Sequence, residues 1–110
     1  MAREQDRIFQ GTLDLLVLKT LSRNGAMHGF AIVRFIQQIS KDALRVEEGS
    51  LYPALHRLEL EGWLAAEWGH AETGHRAKYY KLTARGKKQL EAEESRWLRM
   101  VEAIGLVLAT

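Results

Sequence analysis

The sequence predicts a mainly α chain with one small β-hairpin, an α+β fold, and three observations carry that prediction. Apolar residues recur at helical spacing in four separate stretches. After Gly62 the period changes, and two strand-like runs flank a polar loop with glycine at both ends. The last helical stretch is far longer than a body of this size can enclose.

Its 110 residues make one domain, large enough for a core built by packing alone. With no cysteine, disulfides and thiolate metal sites are excluded, which fits a reducing cytoplasm. No apolar run reaches the roughly 18 residues of a membrane span, and the N-terminus lacks a signal-peptide core, so a cytoplasmic protein is expected. A net charge of +2 does not by itself call for nucleic acid; the distribution of charge has to make that case.

Residues 1–7 are polar and mixed in sign, a lead-in. Thr12 is the expected N-cap of a first helix over Leu13 to Leu21, with Asp14 an exposed carboxylate near the positive helix end. That run is so apolar that the helix should be buried on more than one side. Asn24-Gly25 breaks it. A second helix follows from about Gly29, with Ile32, Phe35, Ile36 and Ile39 on one face and Arg34, Gln37 and Gln38 outside, and His28 packs or caps at its start. Residues 41–48 form a polar connection.

The third helix organises the chain. Ser50 is its expected N-cap, Pro53 falls in the first turn, and Gly62 marks the other end. Leu51, Leu55 and Leu58 form a stripe to bury, which leaves Tyr52, His56 and Glu59 at the same spacing, with Ser50, Pro53 and Arg57 alongside, on a face free for a partner. A solvated face is the alternative for such a helix in isolation. Its neighbours favour contact, because two short helices joined in this way make a helix-turn-helix.

Residues 63–68 and 75–82 form the strands of the hairpin, and 69–74 its tip. Directly after a recognition helix such a hairpin is a wing. From Arg76 to Lys88 lie six cations without one acid, an attractor for phosphate. Arg76 and Lys78 stand nearest the tip, whereas Arg85, Lys87 and Lys88 project from the next helix. A basic solubilising surface is the plainer reading of that run.

Thr83 caps the last helix, which runs to about Leu108 and would be on the order of 37 Å long. A compact domain of this size has a radius of gyration of about 13 Å, so the helix should project. Its stripe of Leu90, Trp97, Val101, Ile104 and Leu108 then needs a partner, and a second copy is the simplest; folding back on its own domain is the other possibility. The chain thus divides into a winged helix-turn-helix over 1–82 and a dimerisation helix over 83–110.

Nearly the whole chain, from Phe9 to Leu108, resembles the short-form PadR-type transcriptional regulators. The matching elements are Gly11-Thr12-Leu13, His28-Gly29-Phe30 with Ile32, Gly49-Ser50-Leu51-Tyr52-Pro53-Ala54-Leu55 with Arg57-Leu58-Glu59 and Gly62, then Arg76 with Lys78-Tyr79-Tyr80-Lys81-Leu82-Thr83 and Gly86. The resemblance implies a DNA-binding repressor that acts as a homodimer on double-stranded DNA and is released by a small molecule. It places Ser50, Tyr52, Pro53, His56 and Arg57 in the major groove and Arg76 and Lys78 on the wing. Family members that bind planar aromatic molecules use the dimer interface, so the resemblance offers Trp97, with Phe9, Leu13, Met100 and Val101, as an effector site for a small aromatic or hydrophobic molecule; packing is the other role for Trp97.

Other readings have less behind them. The four histidines, His28, His56, His70 and His75, include no helical pair at i, i+4, and the two on the hairpin tip are poorly preorganised for a metal. No phosphate loop, nucleophile beside a base or paired carboxylates in a pocket points to an enzyme, and no cofactor is expected. The rival is a winged helix used to bind protein, against which the unopposed cations of the wing argue.

Overall fold

The computed structural model describes residues 10–110. In chain order they form α1 (Gln10–Asn24), β1 (Met27–His28), α2 (Gly29–Ile39), α3 (Glu48–Leu60), β2 (Leu64–His70), β3 (Arg76–Leu82) and α4 (Ala84–Leu108). The strands make one antiparallel sheet in the order β1-β3-β2. The expected α+β architecture with a long final helix is present. β1 is the addition: two residues, too few to show a period, pair Met27 with Tyr80 and His28 with Tyr79.

α1 is the central helix. It packs against α2, α3, β3 and α4, and buries Leu13, Val17, Leu18 and Leu21. Two expectations about its start fail. Thr12 is not the N-cap, because the chain is already helical at Gln10. Asp14 is not exposed; it is 7% accessible and bound to Arg57 from α3.

His28 does cap α2, its Nδ1 accepting from the Ala31 N–H at 3.2 Å. Ile32 and Ile36 are buried, but Ile39 is 69% exposed, since the helix ends there and leaves the core. The turn that follows needs two left-handed residues, Lys41 and Asp42, the second accepting a hydrogen bond from the Gln37 amide. The connection is not wholly polar, for Val46 enters the core.

α3 begins three residues earlier than expected. Glu47, not Ser50, occupies the N-cap position, and its carbonyl accepts from the N–H groups of Ser50 and Leu51. Glu47 caps without a side-chain bond; Glu48 supplies a carboxylate at the positive helix end instead. Pro53 accordingly sits in the second turn, and the carbonyl deprived of its N–H partner belongs to Gly49, which is exposed and open to water. Leu51, Leu55 and Leu58 are all fully buried, as the spacing requires, and Ala54 joins them. Gly62, at φ +80°, ends the helix in a Schellman turn: its N–H bonds the Glu59 carbonyl and that of Trp63 the Leu58 carbonyl.

Thr83 fastens the hairpin to α4. Its hydroxyl donates to the Gly62 carbonyl at 2.7 Å and accepts from the Gly86 N–H at 3.0 Å. Gly86 makes that junction possible, because a Cβ there would overlap the Trp63 carbonyl oxygen and lie 2.7 Å from Leu82 Cδ1. Backbone cannot yield as a side-chain tip can. Gly86→Ala is therefore expected to destabilise the fold by roughly 1–3 kcal/mol, read as a lower denaturation midpoint with an unchanged slope.

Beyond that junction α4 leaves the body. Leu90 is 5% exposed and belongs to the core, so its place in a dimer seam is withdrawn: the stripe first packs on its own domain. From Ser95 onward every residue is exposed, and the helix does not fold back. The radius of gyration, 14.9 Å, exceeds the roughly 13 Å of a compact domain for this reason. Among the described residues no helix is long and apolar enough to cross a membrane.

Candidate nucleic-acid interface

With Leu51, Ala54, Leu55 and Leu58 turned into the core, α3 exposes Ser50, Tyr52, Pro53 and His56. These four residues, expected from the sequence, do share an open face. Tyr52 is the most constrained of them. Its ring lies so close to the start of α2 that a Cβ on Gly29 would stand 2.8 Å from its Cε1, yet the residue remains 46% exposed. One edge is seated and the other is offered outward.

Arg57 departs from the expectation. Its two terminal nitrogens each donate to a different oxygen of Asp14, both at 2.8 Å, in a bidentate pair joining α3 to α1. The hydrogen bond to Asp14 outweighs desolvation and holds the guanidinium more firmly protonated than usual. A base edge would have to displace a buried carboxylate to engage this fork. Sequence spacing places Arg57 beside the outward residues; only the fold reveals the acid beneath it.

The wing stands next to this face. The Arg76 guanidinium lies 4.3 Å from the centroid of the exposed Trp68 ring, stacked across the hairpin and left open on its other side. Lys78 is less available, as its ammonium pairs with Glu59 of α3 at 3.2 Å and lies 5.6 Å from the Tyr80 ring. Glu59, on the contact face by its spacing, is instead held in this intramolecular pair, which ties the wing to the helix. Tyr80 is buried, which pushes its phenol up in pKa while Lys78 opposes that shift. Tyr79 donates to the His70 carbonyl at 2.9 Å and meets the His28 ring edge-on, bracing the hairpin against α2.

Because β1 brings the start of α2 to β3, a cleft of about 830 Å³ opens between helix and wing. Phe30, Arg34, Tyr52, Trp68 and Arg76 line it, with Arg34 5.6 Å from the Phe30 ring. Arg34 and Trp68 were not singled out from the sequence. They come from distant elements, and only the two-residue β1 contact places them opposite each other. Lys81, Arg85, Lys87 and Lys88 are exposed.

The residues considered for an effector separate. Phe9 lies outside the described residues. Leu13 is 3% exposed in the core, where it holds α1 in place and is closed to a ligand. Trp97, Met100 and Val101 are 42–49% exposed on the open side of α4, joined there by Ile104 and Leu108. In the single chain they form a surface, not a cavity.

Comparison with known proteins places this geometry. The model of the transcriptional regulator PadR-like family matches residues 17–92. A transcriptional regulator of Mycobacterium tuberculosis is 39% identical over 54 residues, 49% of this chain and 50% of that one. Among solved structures, a PadR family transcriptional regulator from Eggerthella lenta is 33% identical, with a TM-score of 0.75 over 92% of this chain and 85% of that one. A transcriptional regulator from Clostridium thermocellum superposes with a TM-score of 0.79 at 28% identity, covering 87% and 92%.

Proposed function

The chain belongs to the PadR-like family of transcriptional regulators, and from that premise we propose that it represses transcription as a homodimer bound to an inverted-repeat operator. The observation that carries the reading is the open face of Ser50, Tyr52, Pro53 and His56 on α3, flanked by a wing whose Arg76 is exposed beside it. In this arrangement α3 enters the major groove and the wing lies along the adjoining backbone or minor groove. Two copies joined through α4 present two such faces, with half-sites about 34 Å apart. Repression, and relief by a small aromatic or hydrophobic molecule at the Trp97, Met100 and Val101 surface, rest on the resemblance to the family.

The test is selection of fragmented host genomic DNA on the purified protein at physiological salt, followed by sequencing. A few enriched fragments sharing an inverted repeat would support the reading and name the regulated genes. Uniform retention with a flat salt response would move the weight to a protein partner, since several phosphate contacts make duplex binding fall steeply with salt.

The side chains should divide by role. Tyr52→Ala is expected to reduce discrimination between operator and random duplex by about 1–3 kcal/mol, the worth of a lost base contact. Arg76→Ala should weaken all sequences alike and lower the salt slope by about one unit. Lys78→Ala should move the slope less, because Glu59 already holds that ammonium. Fluorescence anisotropy across a salt series measures all three; the same loss from each variant would refute the division.

A further inference from the structure

The cleft between the start of α2 and the wing has a wall chemistry of its own. Phe30 and Trp68 are each 55% exposed and Tyr52 46%, three large rings gathered at one open hollow of about 830 Å³. Exposed apolar surface collected in this way marks a place of contact, and the volume lies within the roughly 300–1,000 Å³ of small-molecule pockets. Two guanidiniums accompany the rings. Arg34, from α2, lies 5.6 Å from the Phe30 centroid, and Arg76, from β3, 4.3 Å from that of Trp68. Among the described residues neither is held by a carboxylate, whereas Lys78 on the same wall is taken by Glu59. Glu72, at the hairpin tip, is the one acid among the lining residues.

We propose that this cleft binds a free nucleotide, with the base stacked among Phe30, Trp68 and Tyr52 and the phosphate on Arg34 and Arg76. Aromatic side chains accept any base, since every base has a π-face. A guanidinium stacked on a ring keeps its N–H edge free, and that fork matches two phosphate oxygens. Inorganic phosphate would leave the rings exposed, a nucleoside would leave both forks unused, and a single-ring carboxylate would engage one fork and fill little of the volume. A nucleotide meets rings and forks together. Glu72 repels a phosphate from the hairpin tip and can accept from an amino group of the base. The Trp97 surface of α4 contributes nothing to the cleft. Tyr52 and Arg76 line both the cleft and the face offered to DNA, so a bound nucleotide and a duplex exclude each other. That exclusion rests on the regulator reading; the binding itself does not.

Adenosine monophosphate is the probe and the indole Nε1–H resonance of Trp68 the readout, with Trp63 and Trp97 as internal controls. A saturable shift of Trp68 is expected, with Trp97 unmoved. Adenosine should bind about tenfold more weakly or worse, having lost hydrogen bonds between charged partners. Phe30→Ala should weaken the monophosphate by about five- to 150-fold, the loss of one stacking face. Phe30 is exposed and outside the core cluster, so this variant should fold and bind duplex as wild type does when no nucleotide is present. In wild type the monophosphate should displace duplex over the range that saturates Trp68, and in Phe30→Ala only at correspondingly higher concentration. No saturable Trp68 shift up to millimolar monophosphate, equal binding of adenosine and monophosphate, or a response of Trp97 in place of Trp68 would overturn the proposal. A DNA strand carries the same base and phosphate, so tighter binding at Trp68 by a short single-stranded deoxyoligoadenylate would overturn it too, moving the site from free nucleotide to nucleic acid. Duplex that stays bound at saturating monophosphate would refute the exclusion. Should no duplex bind at all, the regulator reading fails separately, and the Trp68 titration still decides whether the cleft holds a nucleotide.

Discussion

Arg57→Ala is expected to lower the unfolding free energy by about 3 kcal/mol, toward the low end of what breaking a buried ion pair costs. The loss arises on the other side of the pair. Asp14 has a side chain only 10% exposed, and without Arg57 both of its oxygens lose charge-assisted hydrogen bonds while remaining largely buried between α1 and α3. Arg57, with 35% of its side chain exposed, can find water when Asp14 is removed, so Asp14→Ala should cost less. The double variant should be more stable than Arg57→Ala alone, because no orphaned charge is left. Urea denaturation of the three proteins tests the ordering, and a melting point depressed on the order of 10–15 °C accompanies the largest loss. A base-reading Arg57 would give the opposite pattern: unchanged stability with lost DNA discrimination. Near-wild-type stability of Arg57→Ala would return the side chain to the groove.

Arg57 also shows where sequence reasoning stops. The helical period locates the buried stripe of α3 without error, since apolar burial repeats every three to four residues and leaves a local trace. It cannot say what a long polar side chain at the edge of the stripe will meet, because that depends on an acid 43 residues away on α1. For the same reason the sequence makes Asp14 a surface carboxylate, whereas the fold buries it. Ser50 failed as a cap on a finer scale: the backbone became helical at Glu48, where a carboxylate serves the helix end without a side-chain hydrogen bond. By contrast His28 and Thr83 cap as expected, each accepting from the N–H three residues on. Leu90 illustrates the remaining limit. It lies on the same heptad stripe as Trp97 and Ile104, yet the stripe changes surroundings along its length, from its own core to open solvent, and periodicity carries no mark of where.

That change of surroundings leads to the largest functional effect. Replacing Trp97 and Ile104 together by glutamate is expected to give folded monomers whose operator affinity falls by two to four orders of magnitude. The fold should survive, because the two side chains are 42% and 50% exposed and lie beyond Leu90, outside the core cluster. The proposed dimer should not, since like charges would meet across a two-fold seam, where each copy contributes the same stripe. Operator affinity suffers although no DNA contact is altered: a half-site held by one α3 and one wing loses the second, tethered binding event. Mass by light scattering should drop from twice 12.6 kDa to 12.6 kDa, with the helical circular dichroism of the body retained. Binding to random duplex, governed by the cations of each wing, should weaken far less. An unchanged dimer would move the interface off this stripe, and a monomer with intact operator affinity would show that one copy suffices for recognition.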